Sequence, residues 1–264
     1  MWRRDSCRAR SGACILKRRI HLFEFNDWAH TPEVLRQAET DALRGLESLA
    51  GVPKALAILL NRLIAQLVPD RIVDLASGGT GPLLPALGDY DVEVVCTDWF
   101  PSSRAARLVA RHRPSARYLS EPVDASAVPE SLTGLRTLIN ALHHFSDDDA
   151  RAVLADASHA GQPIVVVELL NRRWRDLAMT CLIPLGVLAV MPFVRPSFWA
   201  LVATYLVPVV PLMVGFDGMV SCLRSRSQSE MLALTTGLDG LTWTTGAQRA
   251  ALVHLTFLVG VPTR

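Results

Sequence analysis

Between residues 70 and 170, short apolar runs alternate with stretches of helical period, and this alternation restricts the fold more than any other feature. The runs are 71–75, 92–97, 116–119, 137–141 and 163–169. They are apolar almost throughout rather than at every second residue, as strands are when helices cover both faces of a parallel sheet. Two further strand candidates, 241–245 and 253–259, lie near the C-terminus behind a helix-like stretch at 228–236. Upstream, Thr31-Pro32-Glu33 offers an N-cap, a proline at the first helical position and an acid in the first turn. Leu35, Ala38, Leu43 and Leu46 then share a face. A second helix is expected over 53–68, with Leu56, Leu59, Leu60, Leu63, Ile64 and Leu67 as its apolar stripe. The expected fold is α/β and Rossmann-like: a doubly wound, mostly parallel seven-stranded sheet with N-terminal helices and a hydrophobic helical insertion.

The first strand runs into IVDLASGGTGP, residues 72–82. Asp74 closes the strand, and Ala76, Ser77, Gly78, Gly79, Thr80 and Gly81 form a loop of small residues. Such a loop lets the backbone approach a ligand closely, and the next helix turns its free N–H groups toward it. Asp98 ends the following strand, 24 residues after Asp74. A carboxylate at that spacing can accept from two ribose hydroxyls. Asp74 itself speaks against a pyrophosphate, which its charge would repel, and for a cationic ligand. Asp124, at the end of SEPVDA, can accept from an adenine amino group.

Taken together, DLASGGTG, CTDWFP, EPVDASAVP and TLINALHHF resemble motifs I to IV of the class I S-adenosylmethionine-dependent methyltransferases. The resemblance covers about residues 70–170, and the last two strand candidates resemble the antiparallel sixth and seventh strands of that family. It implies S-adenosyl-L-methionine as cofactor. On this chain Asp74, Ala76, Ser77, Gly78 and Gly79 would then line the methionine and ribose side, and Asp98 would hold the ribose hydroxyls with Trp99 beside the adenine. Asp124 and Ala125 would meet the adenine edge, and Asn140 would border the methyl donor. Ala76 and Thr80 stand where the family's DxGxGxG pattern has its first and third glycines. Two alternatives stand beside a methyltransferase. One is a relative that binds the cofactor without transferring methyl, as a membrane-associated module or a cyclase-like enzyme. The other is a nicotinamide-dependent oxidoreductase, disfavoured by Asp74 and by the lack of GxGxxG spacing.

Methyl transfer is an in-line displacement that depends mostly on positioning and on excluding water. A base is needed where the acceptor is a hydroxyl or an ammonium. The candidates are His144 first, His143 second and Glu168 third, all at strand ends where open α/β sheets bind ligands. Ser146-Asp147-Asp148-Asp149 reads as an N-cap followed by acids favoured at the positive helix end. Carboxylates on one helical turn diverge, so no metal site is expected. Glu121, His112, His159 and His254 read as surface or packing residues.

Mean hydropathy is +0.26 and half of the residues are hydrophobic, high for a freely soluble enzyme. The excess sits in residues 172–226. Leu177 to Val194 carries no charge, Arg195 interrupts, and Pro196 to Phe216 again carries none, with prolines at 184, 192, 196, 208 and 211. Three readings stay open. A transmembrane hairpin needs two crossings of about 20 residues, and the flanking Arg172, Arg173, Arg175, Arg224 and Arg226 suit a cytoplasmic base. A second reading is a hairpin dipping into one leaflet, and a third is a lid or dimer interface. Each sets an oily wall beside the methyl donor, so a small hydrophobic substrate is expected, polyketide-, terpenoid- or fatty-acyl-like. A net charge of +2 gives no reason to expect nucleic acid. The cysteines at 7, 14, 96, 181 and 222 form no CxxC pair, which points to a reducing compartment. The expected location is therefore the cytoplasm, at the cytoplasmic face of a membrane where the insertion associates with one. The expected organisation is a basic leader to residue 20, without a signal-peptide core, and N-terminal helices over 21–69. The cofactor core follows over 70–171, the insertion over 172–226, and a C-terminal helix and strands over 227–264.

Overall fold

The computed structural model describes residues 19–263 apart from positions 29, 80, 195, 250 and 253. The basic leader up to residue 18, Cys7, Cys14, Thr80 and the Arg195 interruption thus lie outside the described residues. Helices α1 (Glu33–Leu49) and α2 (Val52–Leu67) precede β1 (Arg71–Leu75), and α3 (Leu83–Leu87) leads to β2 (Glu93–Cys96). Then follow α4 (Ser103–His112), β3 (Ala116–Tyr118), β4 (Leu135–Ile139), α5 (Asp147–His159) and β5 (Ile164–Glu168). After β5 come α6 (Trp174–Thr180), α7 (Ile183–Val190), α8 (Phe198–Leu201) and α9 (Val209–Arg224). The chain closes with α10 (Gln228–Ala233), β6 (Leu241–Arg249) and β7 (His254–Pro262).

The strands form one seven-stranded sheet in the order β3-β2-β1-β4-β5-β7-β6. The first five are parallel, β7 is antiparallel to β5, and β6 is antiparallel to β7. Only β7 therefore runs against the rest of the sheet. Alternate residues of one strand feed opposite cores, which is why the runs are apolar throughout. On β5, Val165 and Val167 join α2 and α3 on one face, while Ile164 and Val166 join α5 on the other. A third core is wholly helical, with Ala38 and Ala42 of α1 packed against Val187, Ala200, Val210 and Val214 of the insertion.

Two local expectations change. Thr31 does not cap α1; its hydroxyl donates to the Phe25 carbonyl at 2.6 Å, and Pro32 takes the cap position. Strand β4 begins and ends two residues earlier than the apolar run suggests, because Asn140 turns to φ 54 and no strand continues through that conformation. The two uncharged runs are not straight spans. Among the described residues no single helix is long and apolar enough to cross a membrane; the runs fall in helix pairs bent by 47° and 78°.

Candidate active site

The site forms at the C-terminal edge of the sheet, where the tips of β1, β2, β4 and β5 meet the segment before α1. The loop after β1 is fastened from several sides. Asp74 is buried, and its carboxylate accepts from Thr137 Oγ1 at 2.5 Å and from Ser77 Oγ at 2.7 Å. Burial pushes its carboxyl up to about 6, with both hydroxyl contacts working against that rise. Asp74 therefore secures the turn from inside the protein, and the sequence-based picture of it gripping a cationic ligand is corrected. Ala76 follows in the left-handed region at φ 51, the conformation for which the family pattern places a glycine. Gly78 adopts φ 50, its amide donates to Asp98 Oδ2 at 2.7 Å, and its carbonyl accepts from the Tyr118 hydroxyl at 3.2 Å. Gly79 lies against Thr40 of α1.

Asp98 is half-buried at the tip of β2, and its other oxygen accepts from the Phe100 amide at 2.8 Å. Burial raises its carboxyl, partly offset by the Phe100 and Gly78 amides. Each oxygen keeps a lone pair for a vicinal diol. Trp99, 55% exposed, stands next to it, free to stack on a base. Asp124 closes a turn by accepting from the Ser126 amide and hydroxyl, and Ala125 is buried behind it. Asn140 stands at the tip of β4, its amide donating to the Val167 carbonyl and its side chain accepting from the Leu169 amide. The structure thus gathers Ala76, Gly78, Asp98 and Asn140 at one edge of the sheet.

The candidate bases sit beside this edge in a short 3-10 turn, Leu142–His144. His143 is 2% exposed; its Nδ1 lies 2.7 Å from Glu168 Oε2 and its amide donates to Glu168 Oε1 at 3.1 Å. Glu168 is equally buried, so these two sequence-derived candidates form one pair. His144 is more open. Its Nδ1 is enclosed, 2.9 Å from Asp27 Oδ1 and 3.6 Å from Glu24 Oε2. A positive charge on His144 would lower the Asp98 carboxyl, against the effect of burial there.

Several residues here were not singled out from the sequence. Residues 19–28 lie over the site as a strap clasped to α9. Asp217 accepts from the Phe25 and Asn26 amides, and Arg224 reaches Asp27 at 2.7 Å and Glu24 at 3.2 Å. Burial pushes Glu24 up to about 7 despite His144 and Arg224. Burial also disfavours the charge on Asp27, but His144 and Arg224 outweigh it and hold its carboxyl below the usual range. Glu39 of α1 faces Asp217; burial raises both carboxyls, Asp217 adds to the rise at Glu39, and the Phe25 and Asn26 amides and Glu39 work against the rise at Asp217. No spacing in the sequence announces this cluster, since its members come from the strap, α1 and α9. A cavity of about 710 Å³ opens between the same three elements and α7, lined almost wholly by apolar side chains such as Phe25, Trp28, Leu35, Pro184, Met213 and Phe216. Glu39 and Asp217 lie one helical turn from the cavity-lining Leu35 and Met213, and Thr40, next to Glu39, packs on Gly79 of the loop after β1. Ser146 caps α5, and Asp147 pairs with Arg19 and Arg226.

Neither a protein-family model nor a curated protein sequence matches the chain. Solved structures do. Human N-acetylserotonin methyltransferase in complex with SAM aligns over 88% of this chain at 16% identity and a TM-score of 0.50. The plantazolicin methyltransferase BpumL, in complex with a monoazolic desmethylPZN analog and SAH, aligns over 87% at 10% identity and 0.53, covering 98% of its own chain. An O-methyltransferase family protein from Burkholderia thailandensis aligns over 82% at 16% identity and 0.48. The chain spans 58% of that last protein's length and 56% of the human enzyme's. The fold is the Rossmann-like methyltransferase fold. At such identities the likeness extends to the fold alone, and the activity has to be argued from the site.

Proposed function

We propose that the chain is an S-adenosyl-L-methionine-dependent methyltransferase acting on a small, lipophilic acceptor. One observation carries this reading: the left-handed, glycine-containing loop after β1 is tied through the Gly78 amide to Asp98 at the tip of β2. That puts a close-approach backbone and a diol-binding carboxylate side by side at the edge where α/β sheets take nucleosides. The BpumL structure holds SAH on the same fold. Residues 76–79, with Ser77 and Asp74 behind them, would carry the methionine and ribose side. Trp99, Asp124 and Ala125 would carry the adenine, and Asn140 would border the methyl group.

The apolar cavity supports a lipophilic acceptor, because burying its body there stabilises binding while few polar groups need partners. An acceptor hydroxyl or ammonium must shed a proton, and the His144 imidazole with the Glu24 and Asp27 carboxylates are the groups beside the transfer point. The His143–Glu168 pair positions that turn. The exposed apolar side chains of the insertion, among them Leu185, Phe193, Phe198, Trp199 and Leu206, exceed what a monomer leaves to water without use. We take this surface to rest on the cytoplasmic leaflet of a membrane, with the bent helices lying in the interface rather than crossing it. The deciding experiment is calorimetric titration with S-adenosylhomocysteine and with NADH. Binding of the first alone, lost in Asp98→Ala, is expected; binding of NADH instead would overturn the reading.

A further inference from the structure

We propose that Glu24, His143 and His144 form a binding site for one divalent transition-metal ion beside the cofactor loop. The use of such an ion rests on the methyltransferase reading; its binding does not. One ligand atom from each side chain can be chosen so that all lie within 4.8 Å of one another, with Glu24 and His143 buried. Metal bonds of about 2.0–2.2 Å set neighbouring ligand atoms roughly 3–3.5 Å apart. The widest separation must therefore close by roughly 1–2 Å, a movement open to His144 at the end of its short turn.

Each ligand is prepared separately. Glu168 takes the Nδ1 side of His143 at 2.7 Å, which leaves the Nε2 lone pair for an ion. A carboxylate behind a ligating imidazole fixes its tautomer and raises its basicity. Glu24 Oε1 accepts from Ser221 Oγ at 3.1 Å and faces Arg224, while Oε2 is the oxygen turned to His144. Asp27 divides in the same way, with Oδ2 on Arg224 and Oδ1 2.9 Å from His144 Nδ1. That nitrogen is thus enclosed between two carboxylate oxygens, a polar pocket of the kind a cation fits. Two imidazoles and one carboxylate are the donor set of catalytic zinc sites and of facial triads; magnesium and calcium prefer oxygen alone. With an ion bound, His144 serves as ligand rather than base. The open coordination positions would then hold the acceptor's oxygen or nitrogen and lower its pKa next to the methyl donor.

The test uses untagged full-length protein stripped with a chelator and titrated with Zn²⁺ by calorimetry, and with Co²⁺ followed by its d–d absorption. One ion per chain is expected. Glu24→Gln and His144→Asn should each weaken Zn²⁺ binding by at least about 100-fold, and Glu168→Gln by roughly 10–100-fold through loss of orientation. S-adenosylhomocysteine is titrated against every variant as the control for folding. Zn²⁺ binding without S-adenosylhomocysteine binding keeps the metal site and removes the methyltransferase reading. S-adenosylhomocysteine binding with no Zn²⁺ binding, or with Zn²⁺ affinity unchanged in Glu24→Gln and His144→Asn, overturns the site.

Discussion

Gly79 is where the loop after β1 meets α1, and Gly79→Ala tests that contact directly. A Cβ at Gly79 would lie 2.1 Å from Thr40 Cγ2 and 3.4 Å from Thr40 Cβ, whereas carbon atoms pack at about 3.5–4.0 Å. Gly79 is not in the left-handed region, so the backbone accepts alanine and the clash alone is probed. Thr40 cannot turn its methyl away freely, because its hydroxyl donates to the Arg36 carbonyl at 2.9 Å and a helical threonine has two good rotamers. The loop must move away from α1, or that hydrogen bond must break. Overpacking of this kind costs about 1–3 kcal/mol, which read as cofactor affinity is a loss of roughly 5–150-fold. Thr40→Ser removes Cγ2 and keeps the hydroxyl, so Gly79→Ala combined with Thr40→Ser should bind S-adenosylhomocysteine within about twofold of Thr40→Ser alone, a coupling of at least about 0.6 kcal/mol. Calorimetry and thermal melts of the four proteins measure the cycle. A Gly79→Ala protein that binds and melts like the parent, or a double variant no better than Gly79→Ala, would refute the packing of α1 on the loop.

Other outcomes follow from the buried charges and the exposed insertion. Asp74 has its carboxyl raised by burial to about 6, so the native state holds its proton more tightly than the unfolded chain. Its ionisation removes stability as pH climbs from about 4 to above 6, about 3 kcal/mol in all. Glu39 and Asp217 shift in the same direction. Melting temperature should therefore rise on acidification from pH 7.5 to 5.5, less steeply in Asp74→Asn; a fall over that range would contradict the burial argument. Arg224→Met leaves Glu24 buried without its guanidinium, a loss of about 3–5 kcal/mol where the strap stays in place. Release of the strap instead speeds hydrogen exchange at the Phe25 and Asn26 amides, and unchanged melting with unchanged protection would disprove the clasp. Phe198→Asp with Trp199→Asp alters side chains 70% and 66% exposed, so stability should move by no more than about 0.5 kcal/mol per site. Sedimentation with vesicles containing anionic lipid should decrease in the same variant; equal sedimentation would remove the leaflet contact.

How far the sequence reaches depends on how local the cause is. The strands were legible because parallel strands buried on both faces stay apolar residue by residue, as at Val165, Val166 and Val167. The Ser146 cap was legible because a serine before three acids acts within one turn. Asp98 was placed at its strand tip by the same local logic, and it holds the Gly78 amide there. Asp74 shows where charge alone misleads. An acid in the chain reads as a negative charge facing a ligand, but Thr137, 63 residues later, supplies the hydroxyl that turns it inward. The strap could not be read at all, since its partners are 191 to 197 residues away on α9. A segment such as HLFEFNDW has no period of its own, and its conformation is set by groups on a helix that the sequence alone does not bring near. For the same reason the shape of the apolar stretch after β5 could not be read: composition measures how much apolar surface must be covered. Whether α1, a neighbouring helix or a lipid covers it depends on bends near Cys181 and Pro208 that hydropathy does not encode.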